Sequence, residues 1–234
     1  MNHKLKEEYK DFIKYYNWFD KKRRDKLSFR WPSFKAALNL FLQRDGEIIV
    51  ETGCARMEND YGAGMSSLIF GDFCNQYNKK LYTIDISFEN IETCKRITKD
   101  FSNYISYNIG DSITYLKNFN KKIDLLYLDS YDYNLGELLE LYGGRENVNK
   151  AMEILNNMSE NEVVNKHGHI FADCQNHCLN ELLFALPKLH NKSIILIDDA
   201  MLAGGGKPKL AKEWLFDNGW ECILDSQQTL WIKQ

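Results

Sequence analysis

No apolar run in this chain approaches the ~20 residues that a membrane-spanning helix needs. The opening MNHKLKEEYK also holds no apolar core of the kind a secretory leader requires. Both absences predict an intracellular, cytoplasmic protein with no membrane partner. Charge of one sign is scarce too: a formal net charge of −3 argues against a domain that holds nucleic acid through its overall field. The basic cluster Lys21, Lys22, Arg23, Arg24 and Lys26 reads as a solvated helix face, with a local basic patch as the alternative. The six cysteines follow no small-scaffold spacing, so reduced thiols are expected. A Gly-x-Gly-x-x-Gly fingerprint is missing, which argues against a nicotinamide enzyme. With neither internal repeat nor linker, the chain reads as one domain, 1–234.

What is present is an alternation of strands and helices organised around one stretch. Ile48, Ile49 and Val50 make a β-branched strand, Glu51 to Ala55 a small-residue turn, and a helix starts at Ser66. Glycine in such a turn lets a ligand approach the backbone, while free N–H groups at the next helix start face the same space. Further strands are expected at Lys80–Asp85, Ile105–Ile109, Ile123–Asp129 and Ser193–Asp199, and a closing antiparallel pair at Trp220–Leu224 and Thr229–Ile232. Helices are expected over 4–26, Ser33–Gln43, Phe88–Asp100, Ile113–Asn118, Glu146–Met158 and from Cys174 or Gln175 to Leu186, with another opened by Pro208 and stopped by Gly219. Continuous apolar strands such as Leu125–Leu128 are covered on both faces. The fold class is therefore α/β, Rossmann-like and doubly wound: a mostly parallel seven-stranded sheet with an antiparallel last strand and helices on both faces. Residues 1–45 form a helical cover, and 136–170 an insertion suited to a lid or a homodimer contact.

Each main strand ends in carboxylates: Glu51, Asp85, Asp111, Asp129, and Asp198 with Asp199. Ligands of open α/β sheets bind at the carboxyl ends of strands, so this face is the functional one. Asp85 stands where a second-strand acid can accept both hydroxyls of a ribose, and Asp111 or Ser112 can reach an adenine edge.

With these residues the sequence resembles the class I S-adenosylmethionine-dependent methyltransferases from about Gly46 onward. Glu51-Thr52-Gly53 followed by Gly64 and Ser66 resembles the family's acidic glycine motif, Asp85 its ribose-binding acid, and Gly110-Asp111-Ser112 its adenine-contacting turn. The closing hairpin is similar to the family's last strand. CARMENDYGA stands where the family has a compact loop. A narrower resemblance is to metal-dependent, macrocin-type O-methyltransferases, which carry an Asp after the fourth strand and an acidic pair after the fifth. It implies Asp129, Asp198 and Asp199 as ligands of Mg²⁺ or Ca²⁺, hard cations that take oxygen donors. The implied chemistry is O-methylation of a small-molecule hydroxyl, sugar or glycoside-like, with the cation lowering the hydroxyl pKa. Asp129, Asp132 and His177 are the catalytic candidates, with Lys207 a further candidate base; Asp132 stands where catechol-type enzymes have a lysine.

Alternatives from the same residues remain. One is an RNA or protein methyltransferase of this fold; another is a non-catalytic binding or assembly module. His167, His169, Cys174, His177 and Cys178 could supply zinc ligands, or Cys174 and Cys178 could share a buried helix face at i and i+4. Gly204-Gly205-Gly206-Lys207 lacks the hydroxyl residue and spacing of a phosphate loop and reads as a flap beside the acids.

Overall fold

The computed structural model describes residues 30–59, 65–132 and 160–233, with the isolated positions Glu153 and Asn157. The expected helices over 4–26 and Glu146–Met158, and Gly64, lie outside the described residues. The elements in chain order are α1 (Trp31–Gln43), β1 (Ile48–Thr52), α2 (Ser66–Tyr77), β2 (Lys80–Asp85), α3 (Phe88–Ile97), β3 (Ile105–Ile109) and α4 (Ser112–Asn118). They continue with β4 (Leu125–Leu128), α5 (Glu160–Ala185), β5 (Ile194–Ile197), α6 (Lys209–Asp217), β6 (Trp220–Asp225) and β7 (Thr229–Lys233).

The strands form a seven-stranded sheet in the order β3-β2-β1-β4-β5-β7-β6, and only β7 runs antiparallel to its neighbours. After β3 the chain returns to the other side of β1, so strand order reverses between β1 and β4. Loops leaving these two strands diverge there and leave a crevice at their carboxyl ends.

Alternation along the buried strands divides the core in two. Ile49, Leu125, Tyr127, Ile194 and Leu196 pack with Phe34, Leu38 and Phe41 of α1 and Phe70 and Phe73 of α2. Val50, Leu126, Leu128, Ile195 and Ile197 face the opposite layer, with Cys178 and Leu182 of α5 and Ala211 and Leu215 of α6. This accounts for the unbroken apolar runs of β4 and β5, since both of their faces are covered. No helix among the described residues is long and apolar enough to cross a membrane.

Two helix ends differ from expectation by three residues or more. α3 stops at Ile97, because the Thr98 hydroxyl donates back to Cys94 O at 2.7 Å and meets the Tyr107 hydroxyl at 2.6 Å; a 3-10 turn, Lys99–Tyr104, follows. α5 begins at Glu160 rather than Cys174, so residues 160–170 of the expected insertion are the first turns of the helix that continues to Ala185. The sequence of those first turns is mostly polar and contains Gly168, which hides the helical pattern; the second half buries Phe171, Cys174, Cys178, Leu182 and Ala185.

Phe70 stands edge-on between Phe34 and Tyr127, with centroids 5.5 and 5.3 Å away, and is fully buried. Phe70→Ala is expected to lower the unfolding free energy by about 3–5 kcal/mol, read as an earlier urea midpoint at unchanged slope.

Candidate functional site

A cavity of about 220 Å³ opens at the carboxyl ends of β1 to β4, lined by Gly53, Ile84, Asp85, Ile86, Gly110, Asp111, Ser112, Ser130, Tyr131 and His177. β1 enters it through Gly53, whose φ of +78° is a left-handed conformation. A Cβ there would lie 2.2 Å from the carbonyl oxygen of Asp129, so glycine is what lets the turn after β1 lie against the turn after β4. Asp85 closes the next side. Its Oδ1 accepts from Ser87 N at 2.8 Å and Asn90 Nδ2 at 3.0 Å, while Oδ2 has only a longer contact from Cys54 N, at 3.3 Å, and the Cys54 thiol. Gly110 has φ +150°, and a Cβ added to it would meet open space. Asp111 caps α4 by accepting from Thr114 N at 2.7 Å, and this bond holds its carboxyl below the usual range.

His177 of α5 forms the far wall. Its Nε2 lies 3.0 Å from Ser112 Oγ and 3.4 Å from Glu181 Oε1, and its ring lies against Tyr131 at 4.9 Å. Ser130 Oγ donates to the same Glu181 oxygen at 2.6 Å. Burial works against the imidazolium, but Glu181 more than offsets it, so the His177 pKa lies above its ordinary value.

Behind the turn, Glu51 is fully buried. Burial pushes its carboxyl up to about 7 against the opposing pull of nearby hydroxyls. Ser67 Oγ donates to Oε2 at 2.7 Å and accepts from Ala55 N, which ties α2 to the turn; Oε1 has no hydrogen-bond partner.

Beyond the cavity floor lie the acids that follow β4 and β5. Lys207 Nζ stands 2.7 Å from Asp129 Oδ1, 3.2 Å from Asp199 Oδ2 and 3.8 Å from Asp132 Oδ1, with its side chain 3% exposed. Burial alone would lower its pKa; the carboxylates of Asp129 and Asp199 outweigh that and keep it an ammonium. Arg30 Nε donates to both oxygens of Asp198, at 3.0 and 2.8 Å, and its terminal nitrogen reaches Asp199 at 3.3 Å. Tyr127, which burial keeps protonated, donates to Asp198 at 2.7 Å.

The structure thus brings Gly53, Asp85, Asp111, Ser112 and His177 to one cavity. It places Glu51 and Ser66 in the buried layer behind it. Asp129, Asp198 and Asp199 cluster together, but with Lys207 and Arg30 among them, and no group of three or more His, Cys, Asp or Glu among the described residues is placed to hold a metal ion. The expected Mg²⁺ or Ca²⁺ does not fit this arrangement. Asp132 is half-exposed and pairs with Arg56 at 2.7 Å. Cys174 and Cys178 are buried on α5, as the shared-face alternative has it, and Cys174 Sγ lies 3.1 Å from Phe171 O; the side chains of His167 and His169 lie outside the described residues. Sequence reading missed Arg30, Tyr127, Tyr131 and Glu181. Of these only Glu181 left a signal, as an acid four residues after His177 on the same helix face.

The sheet order, the single antiparallel strand at the end of the chain and the cavity at the β1/β4 switch define a Rossmann-like methyltransferase fold. Solved structures agree. The chain is similar to the SAH-bound methyltransferase PaMTH1 of Podospora anserina, at 14% identity over 96% of this chain and 88% of that one, with a TM-score of 0.53. It is similar to the O-methyltransferase NovP, at 12% identity over 87% and 78% of the two chains and a TM-score of 0.52. An O-methyltransferase from Bacillus cereus in complex with SAH aligns at 11% identity over 84% and 79%, also with a TM-score of 0.52. No protein-family model and no curated protein sequence matches the chain.

Two substitutions test this geometry. Gly53→Ala combines a strained φ with a backbone clash and is expected to cost more than about 2 kcal/mol in urea denaturation. Glu51→Gln removes a carboxyl that ionises near 7 in the folded chain but near 4.5 in the unfolded one. Between these values the folded state holds a proton that the unfolded state has released, so stability falls as pH rises and the full cost is present above 7. Relative to Glu51→Gln, the wild type should lose about 3 kcal/mol between pH 4 and pH 8; parallel stability curves would remove Glu51 as the source.

Proposed function

We propose that this chain is an S-adenosylmethionine-dependent methyltransferase that acts on a hydroxyl of a small molecule, sugar or glycoside-like. The observation that carries the reading is the convergence of Gly53, Asp85, Gly110, Asp111 and Ser112 on one cavity at the topological switch. Two features fit the cofactor. Open space where a Gly110 side chain would stand leaves room for a flat base beside Asp111 and Ser112. The Glu51 oxygen without a partner can accept from an ammonium. In this assignment Asp85 binds the ribose through its less engaged oxygen, and Glu51, with the turn through Gly53 and the start of α2 at Ser66, holds the amino-acid end. Gly64 belongs to the same motif and lies outside the described residues.

Bound there, the cofactor supplies a sulfonium methyl group open to in-line attack by an acceptor oxygen. The acceptor has an entrance in a second, wider opening of about 340 Å³ lined by Ser130, Tyr131, Asp132 and Asp173, which shares Ser130 and Tyr131 with the first. His177, held by Glu181, or Asp132 at the mouth is the group to take the hydroxyl proton; Asp129, which follows β4, is paired with Lys207. The net charge of −3 favours a small acceptor over RNA. The similarity to two O-methyltransferases supports oxygen as the acceptor atom.

Calorimetric titration of S-adenosylmethionine should show one site per chain. Asp85→Ala should weaken it at least tenfold without loss of fold by circular dichroism. Absence of binding by the wild type would reject the methyltransferase reading and leave a non-catalytic module of the same fold.

A further inference from the structure

The three carboxylates that a metal-dependent O-methyltransferase would use for its cation are already filled by this chain's own cations. Asp129 Oδ1 accepts from Lys207, and Oδ2 lies 3.3 Å from the Tyr127 hydroxyl. Both Asp198 oxygens accept from Arg30, with further bonds from Asp199 N to Oδ1 and from Tyr127 to Oδ2. Asp199 Oδ1 faces Arg30 and Gln227, and Oδ2 faces Lys207. Every oxygen of the triad therefore has a partner. A hard divalent ion needs about six oxygen ligands, with carboxylates among them to offset its charge, and here it would have to share those carboxylates with a buried ammonium.

Lys207 is not a surface lysine that has folded inward. The loop that carries it is fixed to the cluster at the backbone: Gly206, at φ +66°, lies so close that a Cβ would come 2.0 Å from Asp199 O. Gln175 Nε2 of α5 donates to Gly204 O and Gly206 O, at 3.1 and 3.0 Å. Glycines remove the side chains that would keep this loop away, the α5 amide pins it, and Lys207 is delivered at 3% exposure to two carboxylates.

We propose that Lys207 is the resident cation of this acidic cluster, standing in place of a divalent metal, so that the protein binds no Mg²⁺ or Mn²⁺ there and carries out its chemistry without one. Resting on the methyltransferase reading, the positive charge that a divalent ion would bring to these carboxylates is supplied by the chain itself. Removal of Lys207 turns the same carboxylates into a divalent-cation site.

The test uses Mn²⁺ as the probe, followed by electron paramagnetic resonance and by the shift in melting temperature, on the full chain with no methyl donor added. The wild type should take up no Mn²⁺ at 1 mM and melt at the same temperature in Mn²⁺ and in EDTA. Lys207→Ala or, should that not fold, the longer neutral Lys207→Gln should bind Mn²⁺ at least tenfold more tightly than the wild type and gain stability from it. Lys207→Arg should stay metal-free, and Asp129→Asn in the Lys207→Gln background should abolish the gained site. Stoichiometric Mn²⁺ binding by the wild type overturns the proposal, as does a folded neutral variant that gains none. Because cofactor and acceptor play no part in these readouts, a failure here is distinct from a failure of the methyltransferase reading, which the S-adenosylmethionine titration decides.

Discussion

One phenol joins the hydrophobic core to the charged cluster. The ring of Tyr127 packs against Phe34 and Phe70 on one face of the sheet, while its hydroxyl reaches up to Asp198 and Asp129. Carboxylates at such depth are tolerable only when they are paired and hydrogen-bonded. Arg30 and Lys207 meet that requirement, one from the start of α1 and the other from the loop before α6. The position of α1 over β5 and β7 and the path of the glycine loop are therefore tied to the same few oxygens. Gln228, which donates to the Tyr127 hydroxyl and pairs with Ser33, draws the final hairpin into the same arrangement.

The two sides of the crevice are built on different physical terms. Beside β1, β2 and β3 the walls are backbone, glycine and lightly engaged acids, which suits a large, polar ligand that brings its own hydrogen-bonding groups. Beside β4 and β5 three aspartates share two cations, Arg30 and Lys207, and burial together with repulsion among the acids holds the carboxyls of Asp129 and Asp199 above their usual range. Glu51 sits under the first side with an unsatisfied oxygen and a carboxyl raised to about 7.

Much of the fold was legible in the residues because it rests on short-range patterns. Apolar runs too unbroken for a half-exposed strand marked β4 and β5, acids after successive strands marked one face, and the turn-separated pair at the end of the chain marked the antiparallel closure. The cavity side of the site followed, since Gly53, Asp85, Asp111 and Ser112 each stand within a residue or two of a strand end, and the parallel register brings those ends together. The first half of α5 stayed hidden, because a polar start with an internal glycine carries no helical stripe.

By itself the sequence determined the doubly wound sheet, its last antiparallel strand and the set of acids at its carboxyl edge, since each depends on neighbours a few residues apart. Tertiary structure alone decided what those acids do. Arg30 meets Asp198 across 168 residues and Lys207 meets Asp129 across 78; the glycines before Lys207 mark a loop beside the acids, but nothing local to either cation says which carboxylate it meets. A metal triad and a triad held by lysine and arginine are the same string of aspartates; the closure of the sheet, which carries two distant cationic side chains against them, makes them different sites.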